Sequence, residues 1–161
     1  MIEFVTRLFG RGKPLLSEAG PRDAATLAEV HAASFQSGWS DGEFERLLLE
    51  RNVVAHRAVI GNTLAGFILS RVAAGEAEIL SVAVASARRG RGLAGALLHL
   101  HMRRLAGLGV RAMFLEVDED NTPARRLYER AGFREVGRRP GYYQQANGNT
   151  ATALVLRRDL V

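Results

Sequence analysis

Cysteine is absent from this chain of 161 residues, which excludes a disulfide framework, a thiol nucleophile and thiolate metal ligands. A long hydrophobic run is missing too: no apolar stretch approaches the roughly 18 residues of a membrane-spanning helix. The first residues carry scattered charges and lack the apolar segment of a signal peptide. These absences favour a cytoplasmic enzyme or binding domain without a membrane span.

Lysine is scarce, because Lys13 is the one lysine among 22 basic residues, and the net charge is +5. An arginine-rich surface can bind nucleic acid, an anionic membrane or a phosphate-bearing ligand. Three arginines, Arg88, Arg89 and Arg91, fall within four residues. Such a local cluster favours one polyanionic ligand, and we expect no stable nucleic-acid binding.

The length predicts one domain, which we place at residues 14–161 after a loose lead-in at residues 1–13. Periodicity predicts a strand, two helices, three strands, a helix, a strand, a helix and further strands. The predicted helices run from Asp23 to about Ser34, from Ser40 onward, from about Leu93 to Leu105, and from Thr122 to Gly132. The predicted strands are Leu15-Leu16, Val53–Ile60, Leu64–Ala73, Glu76–Val84, Ala112–Val117, Phe133–Val136 and Ala153–Leu156, with a long loop around Tyr142–Thr150. This mixed order indicates an α/β or α+β sheet domain.

Local signals support three of these helices. Asp23 is a candidate N-cap, and Ser40 with Glu43 forms a capping box. Leucines predict the apolar face of the third helix: Leu93, Leu97, Leu100 and Leu108.

The segment from Arg88 to Gly95 joins a strand to a helix and is rich in glycine and arginine. Glycines there allow consecutive backbone N–H groups to form one concavity for phosphate oxygens, beside a helix N-terminus. The segment lacks the Gly-Lys-Ser/Thr of a Walker loop and the spacing of a dinucleotide fingerprint. The alternative is a solvated arginine-rich turn.

This segment resembles a known signature. Arg89-Gly90-Arg91-Gly92-Leu93-Ala94 is similar to the [Gln/Arg]-x-x-Gly-x-[Gly/Ala] loop of the GNAT N-acetyltransferases, which holds the pyrophosphate of acetyl-CoA. Leu80–Val84 resembles the bulged strand that precedes that loop. Asn121, Ala124, Leu127-Tyr128 and Gly132-Phe133 resemble a later segment of the family. The resemblance implies a mixed, mostly antiparallel central sheet flanked by about four helices, with a splayed acetyl-CoA cleft.

Within the family, the chain most resembles the ribosomal-protein-alanine N-acetyltransferase (RimI) subgroup. Phe35, Trp39-Ser40 and Phe44 resemble its "F..WS...F", and Leu115-Glu116-Val117 resembles its "LEV". Arg138–Tyr143 resembles its "RR.YY" with one extra residue. Two departures are the loop, where the subgroup usually has Gln-Arg-x-Gly, and residues 147–152, which lack its acidic pair.

The resemblance assigns roles to individual residues. Glu116 is the general base, acting directly or through water, and Tyr128 donates a proton to the coenzyme A sulfur; their alternatives are a solvent-facing acid and a core tyrosine. The acetyl-CoA-binding residues are Leu80, Val82, Val84, Arg89, Gly90, Arg91, Gly92, Ala94, Gly95 and Asn121. Asn121 is alternatively a plain helix cap.

Three aromatic residues are candidates for the acceptor site. Trp39, Tyr142 and Tyr143 would line a peptide slot by resemblance, and Trp39 is alternatively a hydrophobic staple. Adjacent tyrosines on a strand point to opposite faces, so one of this pair is free to face a ligand.

The histidines show no metal-ligand spacing. We interpret His31, His56, His99 and His101 as surface or packing residues, and we predict no metal site.

The leading hypothesis is an acetyl-CoA-dependent N-acetyltransferase that acts directly, in a ternary complex, on the N-terminal amine of a protein such as a small-subunit ribosomal protein. One alternative is acetylation of a small amine such as an aminoglycoside or polyamine. Another is a nucleic-acid-associated or acyl-CoA-sensing module without turnover. We expect a monomer or a homodimer.

Overall fold

The structure is a computed structural model that describes residues 13–35, 38–145 and 147–161. All of the predicted lead-in except Lys13 lies outside these residues. In the described part of the chain, seven strands form one sheet in the order β1-β2-β3-β4-β5-β7-β6. The strands are β1 (Leu15–Glu18), β2 (Val53–Ile60), β3 (Thr63–Ala73), β4 (Glu76–Val84), β5 (Ala112–Asp118), β6 (Arg134–Gln144) and β7 (Thr150–Asp159).

The same residues contain four α-helices: α1 (Ala24–Ser34), α2 (Asp41–Leu49), α3 (Leu93–Gly107) and α4 (Thr122–Arg130). Ser40 caps α2 as predicted: its hydroxyl accepts from the Glu43 N–H, and the Glu43 carboxylate accepts from the Ser40 N–H. Element order, helix count and the mostly antiparallel sheet confirm the predicted fold class.

The sheet is interrupted between β4 and β5. These parallel strands pair at three described positions, from Glu76 opposite Ala112 to Glu78 opposite Phe114, and then separate. A shift in the β3–β4 register leaves Leu80 as an extra residue in β4, and such a bulge increases the local bend of a strand. The predicted splayed cleft is therefore present, and it opens beyond Glu78 and Phe114.

Helices cover both faces of the sheet. On one face, α1 and α2 pack against a cluster that includes Leu27, Phe44 and Phe67. On the other face, α3 and α4 pack against a larger cluster that includes Leu97 and Met113. Among the described residues, no helix is both long enough and apolar enough to cross a membrane.

Asp23 occupies the predicted N-cap position, but its side chain does not make the predicted cap hydrogen bond. Asp23 precedes α1, but its carboxylate binds Arg57 at 2.6 Å and accepts from the Gly20 N–H. The side chain thus fastens the start of α1 to β2, because an arginine is a stronger partner for a carboxylate than a neutral amide.

The predicted apolar face of α3 was wrong at one residue. Leu93 and Leu97 are buried, but Leu108 follows the helix and is 52% exposed. The buried positions instead continue with Leu98, His101, Met102 and Leu105. Gly107 ends the helix, so its 3.6-residue period does not extend to Leu108.

The predicted long loop around Tyr142–Thr150 was also wrong, because β6 continues to Gln144 and β7 begins at Thr150. The β6–β7 register shifts between Arg139 and Tyr143, which accommodates Pro140 and Gly141 within the strand. Proline is tolerated there because β6 is an edge strand.

Candidate active site

A cavity of about 470 Å³, here called the central cavity, lies where β4 and β5 separate. Beyond this point the β5-facing edge of β4 has no described strand partner, so its main-chain groups face the cavity. The central cavity is lined by side chains from five elements, including Leu80, Ser81, Glu116, Asn121, Tyr128 and Tyr143. The gap in the sheet thus brings predicted residues from distant parts of the chain to one place.

Glu116 lies in β5, two residues beyond the last β4–β5 pair at Phe114. Its side chain is 21% exposed, and its Oε1 is 3.0 Å from Nη1 of Arg139 in β6. The carboxylate is thus only partly exposed to solvent. A carboxylate at this position can take a proton from a ligand in the cavity.

Tyr128 projects from α4 and is buried. Burial, and to a smaller extent Tyr143, raises the pKa of Tyr128 to about 12. Its ring also packs at 5.6 Å from Phe133. Tyr128 is therefore both a packing residue and a phenol that stays protonated at neutral pH, facing the cavity.

Tyr143 lines the same cavity as Glu116 and Tyr128. Burial, and secondarily the Glu116 carboxylate, raises the pKa of Tyr143 to about 12. Tyr143 in turn contributes to the raised pKa of Tyr128. Its neighbour Tyr142 is 53% exposed and does not line the central cavity. The alternation of strand side chains thus directs Tyr143 to the site and Tyr142 to solvent.

Ser81 is a site residue that the sequence analysis missed. It follows the β4 bulge, lines the central cavity and is buried. Its Oγ finds no hydrogen-bond partner among the described residues. A buried hydroxyl of this kind costs free energy unless something else satisfies it, so Ser81 Oγ is available to a ligand.

The end of α1 and the start of α2 form the wall opposite Tyr128. The Trp39 N–H donates to Nδ1 of His31 at 3.1 Å, and the Trp39 ring stacks on His31 with ring centroids 4.7 Å apart. The Trp39 and Phe44 rings are 5.3 Å apart, which is the predicted staple. Trp39, His31 and Phe35 also line the central cavity, and the role of Trp39 in a peptide slot stays a prediction.

A second cavity of about 340 Å³, the loop cavity, continues from the first and shares Val82, Ala124 and Tyr128 with it. Its other walls include predicted residues from β4 and the glycine-rich segment: Val84, Arg89, Gly90, Gly92, Ala94 and Gly95. Arg88, which the sequence analysis did not assign, lines it too. The predicted cradle therefore adjoins the N-terminus of α3.

Two glycines shape this cradle. Gly90 and Gly92 have φ of +77° and +78°, a backbone conformation that L side chains rarely adopt. No heavy atom of the described residues outside the adjoining chain lies within 4 Å of a Cβ built on either glycine. The space above them is open for a ligand.

The arginines of this segment do not all face the cradle. Nε of Arg89 donates to the Val84 carbonyl at 3.0 Å, and its Nη2 donates to Ser34 Oγ at 3.1 Å. Arg89 therefore links the end of β4 to the end of α1. Arg91 is not among the residues that line the loop cavity.

Asn121 satisfies its cap prediction. Its Oδ1 accepts from the Ala124 N–H at 3.2 Å, at the start of α4, and the residue also lines the central cavity. Capping fixes the first turn of the helix that carries Tyr128.

A third cavity of about 400 Å³, the lateral cavity, shares Leu115 and Glu116 with the central cavity. Its charged lining residues are Arg71, Glu76, Glu78, Glu116 and Arg139. The sequence offered no sign that Arg139 reaches Glu116, because the two residues lie on strands that are joined through β7.

Known proteins match the chain in sequence and in fold. The model of the acetyltransferase (GNAT) family matches residues 24–133. The ribosomal protein bS18-alanine N-acetyltransferase of Haemophilus influenzae is 30% identical over 142 residues, which are 88% of this chain and 96% of that protein. The N-alpha-acetyltransferase RimI of Mycobacterium tuberculosis is 34% identical over 143 residues, covering 85% and 87% of the two chains.

A solved structure has the same fold. The crystal structure of the ribosomal-protein-S18-alanine N-acetyltransferase from Escherichia coli superposes with a TM-score of 0.86 at 24% identity, covering 92% of this chain and 94% of that one.

Proposed function

This chain belongs to the GNAT acetyltransferase family, and on that premise we propose that it transfers the acetyl group of acetyl-CoA to the α-amino group at the N-terminus of a protein, such as a small-subunit ribosomal protein. The observation that carries this proposal is the convergence of Glu116 and Tyr128 on a central cavity that continues into a glycine-rich loop cavity. The names of the bacterial relatives support the choice of a protein N-terminus.

The chain's own residues fit acetyl-CoA. Gly90 and Gly92 leave open space at the N-terminus of α3, where backbone N–H groups and the helix dipole favour a pyrophosphate. The unpaired edge of β4 around Val82 offers main-chain groups to the pantetheine amides. Ser81 Oγ offers a buried hydroxyl to a carbonyl in the central cavity. When bound, acetyl-CoA supplies an acetyl group activated as a thioester.

Glu116 acts on the acceptor amine. An α-amino group titrates near pH 8, so at neutral pH most acceptor molecules arrive as ammonium ions. The Glu116 carboxylate takes a proton from the ammonium, directly or through a water molecule, and leaves a neutral amine able to attack a carbonyl. A lysine titrates near pH 10.4, so its neutral fraction at pH 7 is lower by about two orders of magnitude. One carboxylate without a metal therefore suits an N-terminal amine better.

Tyr128 acts on the leaving group. Because its pKa is raised to about 12, its hydroxyl carries a proton throughout the physiological range. From α4 this hydroxyl faces the region that the central and loop cavities share. As the C–S bond breaks, Tyr128 donates its proton to the sulfur, so that coenzyme A leaves as the thiol. The new amide nitrogen releases its extra proton to solvent, from which Tyr128 is protonated again.

Transfer is direct in this proposal. The sequence has no cysteine that could carry the acetyl group. The loop cavity and the lateral cavity both adjoin the central cavity, at Tyr128 and at Glu116 respectively. Tyr128 and Glu116 thus hold the donor and the acceptor at the same time.

Mass spectrometry of candidate acceptors incubated with acetyl-CoA tests the proposal. The panel contains an alanine-initiated ribosomal peptide, the same peptide with a blocked N-terminus and an internal lysine, and a mixture of small amines. We expect one added acetyl group on the free N-terminus alone. Glu116→Gln should suppress the product, whereas the matched control Glu129→Gln, an exposed carboxylate on α4, should not.

Each other outcome points elsewhere. Acetylation of small amines alone would replace the peptide acceptor by a small-molecule amine. Acetylation of the internal lysine would replace the α-amine by a side-chain amine. The absence of any product, while acetyl-CoA still binds, would contradict the transfer reaction.

A further inference from the structure

The ion pair between Glu116 and Arg139 occupies the point where the central and lateral cavities meet. Nη1 of Arg139 is 3.0 Å from Oε1 of Glu116, and Glu116 lines both cavities. Arg139 is a wall residue of the lateral cavity. The carboxylate assigned to the acceptor amine therefore already holds a cation.

Arg139 is held loosely. Its side chain is 57% exposed, and it lies in an edge strand beside the register shift that ends at Tyr143. Ion pairs of exposed side chains typically change an equilibrium constant by about fivefold or less. The guanidinium has another partner besides Glu116, because its carbon is 5.5 Å from the ring centroid of Tyr142, a distance typical of a cation–π contact.

From this geometry we propose that Arg139 is a displaceable counter-ion that occupies the acceptor-amine position of Glu116 until the acceptor arrives. The proposal rests on the proposed function. The incoming ammonium replaces the guanidinium at Glu116, and Arg139 keeps its contact with the Tyr142 ring. One cation exchanges for another, so Glu116 is not left unpaired in the partly buried site. A neutral nucleophile such as an alcohol cannot make this exchange, and Arg139 thereby favours amines.

The adjacent Arg138 provides a matched control. Its side chain is 54% exposed, it lies on the same strand, and it binds Glu135 and Glu119 rather than Glu116. Arg139→Gln and Arg138→Gln remove the same charge from neighbouring positions of similar exposure. A difference between them therefore reports on the contacts of Arg139 with Glu116 and Tyr142 and not on the loss of one surface charge.

Steady-state kinetics with an alanine-initiated peptide of otherwise uncharged residues tests the exchange. Arg139→Gln should lower the KM for the peptide by about two- to fivefold, which is the range that an exposed ion pair can supply. Its kcat and its KM for acetyl-CoA should stay within about twofold, because Arg139 has left Glu116 once the acceptor is bound. Arg139→Lys should restore the wild-type KM, and Arg138→Gln should match the wild type.

An unchanged or raised KM in Arg139→Gln, or an equal effect of Arg138→Gln, would overturn the proposal.

A second measurement does not depend on turnover. The Nε–H signal of Arg139, assigned by its loss in Arg139→Gln, is followed by NMR while alanine amide is added to the protein with coenzyme A. We expect it to shift while the Arg138 signal stays in place. A static Arg139 signal overturns the exchange, whereas failure of the wild type to acetylate any amine overturns only the proposed function.

Discussion

The Nδ1 atoms of His56 and His101 are 2.8 Å apart in the core, joining β2 to α3. Nε2 of His101 is 2.7 Å from Ser70 Oγ on β3, and all three residues are buried. One Nδ1 must donate the hydrogen bond and the other must accept it, so at least one of the two imidazoles must be neutral, and protonation of both breaks the contact. The predicted packing role of both histidines therefore includes a polar contact that is sensitive to pH.

Acidification should destabilise the protein through this pair. Burial, and secondarily His56, lowers the pKa of His101 from 6.5 to about 3, and burial lowers that of His56. Below pH 6.5 these histidines therefore bind protons in the unfolded chain but stay neutral in the folded protein. The stabilisation is complete above pH 6.5, and the part that His101 contributes falls by about 1.4 kcal/mol per pH unit on the way towards pH 3. His56 adds to the fall in the same direction. Chemical denaturation between pH 7.5 and 5 measures this slope.

A pair of variants isolates that slope. His101→Leu should remove the contribution of one proton to the slope of the unfolding free energy against pH. The variant should also be less stable at pH 7.5, because Ser70 and His56 lose a hydrogen-bond partner. His99→Gln should keep the full slope, because His99 is exposed on the same helix. The charged neighbours Glu18 and Arg104 stay in both variants. Equal slopes in all three proteins would contradict the assignment.

Tyr128→Phe should reduce kcat by about 10²- to 10⁴-fold, the range for general acid catalysis. The affinity for coenzyme A, measured by calorimetry, should change by no more than a few fold, since the buried ring and its contact with Phe133 remain. The wild-type rate should show no loss from ionisation of Tyr128 below about pH 11, because the pKa of this residue is raised to about 12. Unchanged kcat in the variant would remove Tyr128 from the reaction.

Glu116→Gln should lose most activity at pH 7 and recover part of it above pH 9, where the acceptor amine is already neutral. The measurement is the pH dependence of the acetylation rate for an alanine-initiated peptide. Glu129→Gln should follow the wild-type curve throughout. A variant that is equally impaired at every pH would contradict the role of Glu116 as the base.

Gly92→Val should weaken coenzyme A binding at least tenfold and also lower the thermal midpoint, because valine disfavours φ of +78° and fills the space above the loop. The control is Gly107→Ala, at the other end of α3, where the added Cβ meets no described atom within 4 Å. We expect this control to bind normally and to be slightly stabilised, as alanine favours helix. Full affinity in Gly92→Val would place the pyrophosphate elsewhere.

Ser81→Ala separates ligand binding from folding. In the ligand-free protein the change should keep or slightly raise the thermal midpoint, because the hydroxyl has no partner among the described residues. The affinity for acetyl-CoA should fall by roughly two- to tenfold, the value of one hydrogen bond. A lower midpoint together with unchanged affinity would instead assign Ser81 a purely structural role.

Local signals predicted much of the fold. The capping box of Ser40 and Glu43 and the alternation in Val53–Ile60 and Glu76–Val84 depend on neighbours in sequence, and the structure confirms their bounds. Contacts between residues far apart in sequence were not predicted. Arg57, 34 residues from Asp23, binds the carboxylate that was expected to cap the helix. The extension of β6 through Pro140 depends on its place at the edge of the sheet, which a single sequence does not reveal.

The residues of the candidate site were predicted from motifs. Motifs do not show which residues the pairing of strands brings together. Glu116, Tyr128 and the glycines were assigned by resemblance, and all of them line the cavities. Ser81 was missed because its lack of a partner follows from the bulge at Leu80. Arg139 was missed because its contact with Glu116 depends on a register that passes through β7.

The position of β7 determines when during synthesis this centre can form. The strand that carries Glu116 and the strand that carries Arg139 and Tyr143 both pair with β7, which lies between them although it is translated after both. A ribosome-bound chain that has not yet released Thr150–Asp159 leaves β5 and β6 without the strand that holds them in register. The nucleus of β1 to β4 with α1 and α2 can assemble earlier from hairpins close in sequence. The centre is therefore completed only when β7 inserts between β5 and β6.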